Sequence, residues 1–302
     1  MIRMTRRVTF SAAKTDWAPA LSGDENRALY GPQAAPEPFG HNYTLDVTVQ
    51  GEIDPRTGII VNIKEIDRLV KQSVIRRLDR KFINTGIAEF CGRPVTPEAL
   101  TLWIAGELVE SLPGEVTLAA LRLEETPETF AQWEAAPNKS ENTSEMENET
   151  TPIQDKPTFH ESGLMRLTRV YEFAASHRLH SPHLTEEENR ELFGKCNYPN
   201  GHGHNYILEV TVAGPLDARS GRVMNPAVLD DIVNREVLDR YDHRHFNHDI
   251  PEFKDLIPST EVVTRMIWER LKDVIPAPAR LDSILVRETA RNIFEYRGEA
   301  SS

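Results

Sequence analysis

The chain has 302 residues, which is enough for two domains that each bury a core, and its formal net charge of −12 argues against nucleic acid or an anionic membrane as a general partner. Its two cysteines lie far apart, which excludes a disulfide framework, and no apolar run reaches the roughly 18 residues that a membrane span needs. We therefore expect a cytoplasmic protein whose N-terminus leads directly into a strand, without a signal peptide.

The sequence contains two copies of one pattern, offset by 163 positions. A period this long indicates a duplicated domain rather than a solenoid repeat. We predict a first repeat over residues 1–131 and a second repeat over residues 163–302. The matching positions include Glu25-Asn26-Arg27 with Glu188-Asn189-Arg190, Gly40-His41-Asn42-Tyr43 with Gly203-His204-Asn205-Tyr206, Asp54 with Asp217, Gly58 with Gly221, Asn62 with Asn225, Asp79 with Asp242 and Glu125 with Glu288.

A connector separates the two repeats. Residues 132–162 carry three prolines and a mixture of Glu, Asn, Ser and Thr, with very few apolar residues. A segment of this composition cannot bury enough apolar surface to fold by itself. We predict a disordered, acidic linker.

The second repeat opens with two predicted strands, over residues 165–173 and 204–213, joined by an irregular loop rich in His and Glu. His202 and His204 are two positions apart at the start of the second strand, so their side chains lie on the same face. His177 lies at the end of the first strand. Three neutral imidazoles are the ligand set of a catalytic zinc, because they leave a fourth position open.

Cys196 precedes His202 by six positions in the same loop. An isolated cysteine is more often a small buried apolar residue than a catalyst. The neighbouring His-Gly-His strand nevertheless favours a catalytic thiol.

Two helices and a strand follow. Asn225 and Pro226 are typical of an N-cap and a first helical position, and a second helix begins at Ser259-Thr260. A closing strand is predicted over residues 283–288. The first helix ends just before Asp242-His243, and its apolar residues recur every four positions at Leu229, Val233, Val237 and Tyr241. This order predicts an α+β fold, with an antiparallel sheet covered by helices on one face.

With these residues in view, the second repeat resembles the family of 6-pyruvoyl-tetrahydropterin synthase and 6-carboxytetrahydropterin synthase. The similarity runs from about residue 166 to residue 296, and its specific feature is a cysteine, five residues and then His-Gly-His. The resemblance implies two tandem tunnelling-fold domains and a pterin triphosphate substrate such as 7,8-dihydroneopterin triphosphate. The five-residue interval is similar to that of the pyruvoyl-forming branch, whereas queuosine-pathway members typically have a shorter one.

The resemblance also implies the composition of the site. Zn²⁺ is held by His177, His202 and His204. Cys196 is the thiolate that abstracts a proton from the substrate. A related branch that feeds folate synthesis has glutamate in place of this cysteine, whereas this chain has the cysteine.

Five further residues receive roles from the same resemblance. Asp242 and His243 assist the thiol, Thr260 and Glu261 line the pterin pocket, and Glu288 anchors the pterin ring. Structural alternatives stay open for three of them. Asp242 and Glu288 both persist in the first repeat, which lacks the other catalytic residues, and Thr260 is also suited to cap a helix.

The first repeat retains His41 at the position of His204 but lacks the other candidate residues. We therefore expect it to hold no zinc and to serve as a scaffold. The replacements are Lys14 for His177, Phe39 for His202, Gln33 for Cys196 and Arg80 for His243.

Three functions are compatible with these residues. The first is a zinc-dependent lyase that converts 7,8-dihydroneopterin triphosphate to 6-pyruvoyl-tetrahydropterin with elimination of triphosphate. The second is a 6-carboxytetrahydropterin synthase that releases acetaldehyde and triphosphate. The third is a pterin-binding scaffold without turnover. The resemblance further suggests a homo-oligomer, and we hypothesise three tandem chains that form a pseudo-hexamer.

Overall fold

The computed structural model describes residues 1–31, 34–136 and 163–298. These residues form two compact units. Unit 1 contains Met1–Thr126 together with Leu216–Arg222, and unit 2 contains Arg166–Pro215 together with the described residues from Val223 onward. Within the described ranges, no helix is long and apolar enough to cross a membrane.

The described residues of the first repeat form four strands and five helices. The strands lie in the order β1-β2-β3-β4, and the β1–β2 and β2–β3 pairs are antiparallel. A π-helical turn, Lys71–Ile75, joins α2 to α3, and a 3₁₀ turn, Ala88–Phe90, follows α4. The elements are β1 Ile2–Lys14, α1 Gly23–Tyr30, β2 Phe39–Gly51, α2 Ile63–Val70, α3 Arg76–Leu78, α4 Ile83–Gly86, α5 Pro97–Val109, β3 Val116–Thr126 and β4 Thr129–Ala135.

The second repeat has a corresponding series of elements. Its strands lie in the order β5-β6-β8-β9, and the short β7 runs parallel to β5. Its π-helical turn, Asn234–Leu238, lies between α7 and α8. The elements are β5 Gly163–His177, α6 Glu186–Phe193, β6 His202–Gly214, α7 Pro226–Val233, α8 Asp239–Tyr241, β7 Arg244–His245, α9 Phe246–Asp249, α10 Thr260–Leu271, β8 Arg280–Arg287 and β9 Ile293–Tyr296.

One face of each sheet is buried. Alternate residues of β6, from Tyr206 to Val212, are 0% exposed, and the corresponding residues of β2, from Tyr43 to Val49, are at most 1% exposed. The helices α5 and α10 pack on β3 and β8. Because successive strand residues point to opposite faces, this alternation places the core between sheet and helices. The predicted α+β class, with helices on one face of an antiparallel sheet, is confirmed.

The structure also differs from the predicted elements. The irregular loop contains α6, which Thr185 and Glu188 begin through a reciprocal capping box. The predicted helix over residues 225–241 passes through a π-helical turn, although its four apolar positions are all 0% exposed. A final strand, β9, was not predicted. Strand β4 includes the first four residues of the predicted linker, and the remaining linker from residue 137 lies outside the described residues.

A buried asparagine holds the loop that enters α6. Asn189 is 0% exposed. Its Oδ1 accepts the N–H of Ser181 at 2.7 Å, and its Nδ2 donates to the carbonyl oxygens of Ser181, Leu184 and Thr185. Asn26 makes the same set of bonds in the first repeat. The asparagine that matches between the repeats is therefore a structural residue of each.

Replacing Asn189 with alanine should leave the N–H of Ser181 without its acceptor and remove the side-chain donor to the carbonyl groups of Ser181, Leu184 and Thr185, of which those of Ser181 and Thr185 keep a backbone donor. We expect the free energy of unfolding of unit 2 to fall by about 2–4 kcal/mol, measured by urea denaturation with circular dichroism. Glu191→Ala, on the exposed face of the same helix, is the control and should change little. Equal stability of Asn189→Ala and the unsubstituted chain would contradict the assignment.

Candidate metal and active site

Three histidines meet where β5 ends and β6 begins. His177 is the last residue of β5, and His202 and His204 occupy the first and third positions of β6. Because these strands are neighbours in the sheet, their ends come together. One ring nitrogen from each histidine lies within 4.8 Å of the other two. The structure thus brings together all three predicted metal ligands.

These nitrogens are suited to hold a zinc ion. The buried His177 Nε2, His202 Nδ1 and His204 Nε2 have no hydrogen-bond partner. The Nδ1 of His177 lies 2.7 Å from the carbonyl oxygen of Pro258 and donates its hydrogen there. This tautomer leaves a lone pair on Nε2 for a metal ion. Burial lowers the pKa of His177 and of His204. A set of imidazoles with unpartnered ring nitrogens fits the ligand chemistry of zinc.

Glu288 lies beside this cluster. Its Oε1 is 3.7 Å from His177 Nε2 and 3.6 Å from His204 Nε2. Thr260 donates its hydroxyl to Oε1 at 2.7 Å, and Asn292 donates its amide to Oε2 at 2.9 Å. Burial raises the pKa of Glu288, but the hydrogen bonds from Asn292 and Thr260 lower it by more, so the net shift is downward. The carboxylate is therefore oriented and ionised.

Cys196 lies in a 3₁₀ turn, Gly194–Asn197, that follows α6, and it is half-buried. Its carbonyl oxygen accepts the N–H of Leu179 at 2.9 Å, which ties the turn to the segment after His177. Burial raises the pKa of the Cys196 thiol, and the charge of Glu288 raises it further. Without a cation nearby, this thiol is protonated at neutral pH.

Gly201 allows the loop to approach the histidine cluster closely. Its φ is +71°, and a Cβ there would lie 2.7 Å from the carbonyl oxygen of His177 and 2.8 Å from His245 Nε2. Both the left-handed backbone and the lack of space require glycine.

Asp242 and His243 form a pair at the end of α8. His243 Nδ1 lies 2.9 Å from Asp242 Oδ2, and the His243 side chain is 82% exposed. His243 lines a cleft that His204 also lines. Asp242 Oδ1 accepts the N–H of Ala174 at 2.8 Å, and this hydrogen bond lowers the pKa of Asp242. The role of the pair toward Cys196 stays a prediction.

The same corner exists in the first repeat. Asp79 accepts the N–H of Ser11 at 3.0 Å, as Asp242 accepts that of Ala174. Arg80 and His243 both have left-handed backbones, with φ of 57° and 56°. These shared contacts give Asp242 a structural role independent of any chemistry.

The two predicted pocket residues on α10 differ in their contacts. Thr260 is buried and bonds to Glu288, whereas Glu261 is exposed in the first turn of the helix. The capping alternative for Thr260 is wrong, because the N-cap is Ser259, whose hydroxyl accepts the N–H of Val262.

Sequence reasoning missed several residues that hold the site together. Pro258 supplies the carbonyl group that orients His177, and Asn292 orients Glu288. The buried ring of Tyr206 packs edge-on against His177 and His204. Tyr206 could have been found from the sequence, since Tyr43 matches it in the first repeat. Nothing in the sequence points to the carbonyl of Pro258 or to Asn292.

In the first repeat, Lys14 takes the position that His177 of the histidine cluster has in the second repeat. Lys14 is 0% exposed, and its Nζ lies 2.5 Å from Glu125 Oε1 and 3.0 Å from Asp16 Oδ1. Burial lowers the pKa of Lys14, but the charges of Asp16 and Glu125 raise it by more. The net shift is upward, so the ammonium stays protonated. Lys14 also donates to the carbonyl oxygen of Val95 at 2.9 Å.

These partners are the counterparts of those around His177. Val95 aligns with Pro258, and Glu125 aligns with Glu288. Lys14 therefore bonds to the carbonyl of Val95, whose counterpart orients His177. It also contacts Glu125, whose counterpart Glu288 lies beside the histidine cluster. Phe39 lies near the ammonium, with 5.5 Å from Nζ to the ring centroid. Gln33, at the position of Cys196, lies outside the described residues.

Comparison with known proteins agrees with this duplication. The family model of 6-pyruvoyl tetrahydropterin synthase matches residues 3–136 and again residues 166–299. The human 6-pyruvoyl tetrahydrobiopterin synthase is 45% identical over 134 residues, which are 44% of this chain and 92% of the relative. A 6-carboxy-5,6,7,8-tetrahydropterin synthase from Bacillus subtilis is 32% identical over 115 residues, 36% of this chain and 74% of the relative.

A solved structure shows similar coverage. The Caenorhabditis elegans 6-pyruvoyl tetrahydropterin synthase is 42% identical, with 45% of this chain and 96% of that chain covered and a TM-score of 0.43. Because the family model matches both repeats, the chain belongs to the 6-pyruvoyl tetrahydropterin synthase family and carries two tandem tunnelling-fold domains.

Proposed function

We propose that the second repeat is a zinc-dependent lyase that converts 7,8-dihydroneopterin triphosphate to 6-pyruvoyl-tetrahydropterin and triphosphate. The observation that carries this proposal is the cluster of three histidines, in which one ring nitrogen of each lies within 4.8 Å of the other two and each ring has a buried nitrogen without a hydrogen-bond partner, next to the carboxylate of Glu288. The names of the similar proteins support the substrate class.

Glu288 would bind the pterin. Its carboxylate can accept parallel hydrogen bonds from the ring N–H and the amino group of the pyrimidine edge. Thr260 and Asn292 each hold one of its oxygens, so the acceptor is fixed before the substrate arrives. A preoriented anchor sets which substrate carbon lies near the cluster.

Cys196 would remove a proton from the substrate side chain, after which triphosphate is eliminated. Zinc held by His177, His202 and His204 would polarise the substrate hydroxyls and supply the positive charge that favours the Cys196 thiolate. His243, oriented by Asp242, is the remaining candidate for moving protons in this cleft.

A second product deserves a direct test. The B. subtilis relative is named for 6-carboxytetrahydropterin formation, although its identity of 32% is lower than the 45% of the human pyruvoyl-forming relative. Product analysis of zinc-loaded protein with 7,8-dihydroneopterin triphosphate separates the two. 6-Pyruvoyl-tetrahydropterin supports our proposal, and 6-carboxytetrahydropterin with acetaldehyde supports the alternative. Binding without turnover would leave a pterin-binding scaffold.

Replacing Cys196 with alanine should lower kcat by at least about 100-fold, the contribution typical of a positioned base. The measurement is steady-state turnover of 7,8-dihydroneopterin triphosphate. Cys91→Ala is the matched control and should retain activity, since Cys91 is an exposed residue of the first repeat. Full activity in Cys196→Ala would remove the thiol from the mechanism.

Zinc content should distinguish the two repeats. We expect one zinc per chain by elemental mass spectrometry of purified protein. His204→Ala should weaken binding by roughly 100- to 1000-fold, if about 10–16 kcal/mol is shared among four coordination positions. His41→Ala, the equivalent change in the first repeat, should retain the metal. Two zinc ions per chain, or loss of zinc in His41→Ala, would contradict the assignment.

The two matched glutamates should also differ. Glu288→Gln replaces an acceptor with a donor at the proposed pterin anchor, and we expect KM to rise about 10–100-fold. Glu125→Gln should leave KM unchanged, because Glu125 is already paired with Lys14. A similar KM effect for both variants would show that the first repeat takes part in substrate binding.

A further inference from the structure

The turn that carries Cys196 is tied to the segment that follows β5. The N–H of Leu179 donates to the carbonyl oxygen of Cys196 at 2.9 Å. Asn197 is 4% exposed, and its Nδ2 donates to the carbonyl oxygen of Leu179 at 2.7 Å. Arg178 Nε donates to the carbonyl oxygen of Asn197 at 3.2 Å. Side chains of both segments therefore add to the backbone bond between them.

The ring of His180 joins the side chains of Asn197 and Arg178. Its Nδ1 lies 3.1 Å from Asn197 Nδ2 and 3.3 Å from Arg178 Nη2. Both neighbours are donors, so Nδ1 of His180 is the acceptor. Arg178 thus directs Nε to the turn and Nη2 to the ring. We call Arg178, His180 and Asn197 the brace.

The backbone of Arg178 is held separately from the brace. Its N–H and its carbonyl bond to the side chain of Asn247 at 2.8 and 3.0 Å. The backbone of Thr15 bonds in the same way to Asn84 in the first repeat, at 2.8 and 3.1 Å. Because these bonds involve only the backbone of Arg178, a change of its side chain leaves them in place.

The first repeat lacks the brace. The counterparts are Thr15 for Arg178, Trp17 for His180 and Ala34 for Asn197. Thr15 makes one hydrogen bond to the equivalent loop, from its hydroxyl to the carbonyl oxygen of Ala35 at 2.8 Å. Ala34 has no side-chain donor. The brace therefore occurs in the repeat that has the cysteine, whereas the backbone bonds to asparagine occur in both.

We propose that Arg178 and Asn197 are positioning residues for Cys196. This inference rests on the proposed function, in which Cys196 is the base. Cys196 lies in a 3₁₀ turn of four residues, Gly194–Asn197, and such turns have poorer hydrogen-bond geometry than an α-helix. Contacts with neighbouring segments thus set where the thiol lies. Misplacing a reacting group by about 1 Å costs about 100-fold in rate.

Arg178 acts through its shape rather than its charge. Its two acceptors are a carbonyl oxygen of Asn197 and a ring nitrogen of His180, and neither is a carboxylate. A planar guanidinium reaches both acceptors at once, whereas the ammonium of a lysine is a single point of donation. A lysine at this position therefore keeps the charge and loses the brace.

The test uses residues that the first repeat already carries at these positions. Arg178→Thr and Asn197→Ala should each lower kcat for 7,8-dihydroneopterin triphosphate by about 10–100-fold, with KM and zinc content unchanged. Arg178→Lys should lose as much. Thr15→Val removes the corresponding hydroxyl of the first repeat, and this control should retain kcat.

Three results overturn the proposal. The first is an unchanged kcat in Arg178→Thr and Asn197→Ala. The second is full activity in Arg178→Lys, which would assign the effect to charge. The third is a parallel change of KM, zinc content and thermal stability, which would show a general structural role.

A double variant tests whether the brace acts through the thiol. Cys196→Ala combined with Arg178→Thr should turn over as fast as Cys196→Ala alone, because the group that Arg178 positions is already absent. A further loss of the factor seen for Arg178→Thr overturns the proposal.

Hydrogen exchange tests the brace without turnover. In Asn197→Ala, the N–H of Leu179 that bonds to Cys196 should exchange about 10-fold faster, measured on the zinc-loaded full chain. The N–H of Arg178 bonds to Asn247 and should exchange at an unchanged rate. Unchanged exchange at Leu179 overturns the brace. Faster exchange, in a protein that never turns over the substrate, overturns the proposed function and leaves the brace.

Discussion

Each repeat places a partly buried carboxylate near the end of a strand, with nitrogen-bearing side chains beside it. In the first repeat, Glu125 receives the ammonium of Lys14 at 2.5 Å. In the second repeat, Glu288 faces histidines whose buried nitrogens have no hydrogen-bond partner. An uncompensated charge or an unpaired polar atom inside a protein costs several kcal/mol. A metal ion would satisfy the histidine nitrogens of the second repeat, whereas in the first repeat the ammonium of Lys14 supplies the positive charge.

The histidine cluster of the second repeat and the lysine of the first repeat are held by equivalent backbone groups. The carbonyl of Pro258 orients His177 in one repeat, and the equivalent carbonyl of Val95 accepts from Lys14 in the other. Lys14 thus bonds to both the carbonyl of Val95 and the carboxylate of Glu125. The same two positions therefore hold a cationic side chain in one repeat and face a histidine cluster in the other.

The histidine cluster could be predicted from the sequence because its signals are local. Histidines two positions apart on a strand must share a face. The helix α7 was likewise predictable, because its apolar residues recur every four positions. Other features depend on contacts between distant residues. Nothing near Lys14 indicates that it would meet Glu125, since that contact follows from the order of strands in the sheet. Likewise, eight residues rich in Glu do not distinguish α6 from a loop until Asn189 is seen to anchor it.

The π-helical turns tell something about the history of the chain. Lys71–Ile75 and Asn234–Leu238 lie at equivalent places in the two repeats, each just before the corner with a left-handed residue. A π-helical turn represents one extra residue within an α-helix, and it rotates everything that follows by about 100°. Two independent insertions at one position are a poor explanation for this match. The inserted residue was therefore present in the single ancestral domain from which both repeats were copied.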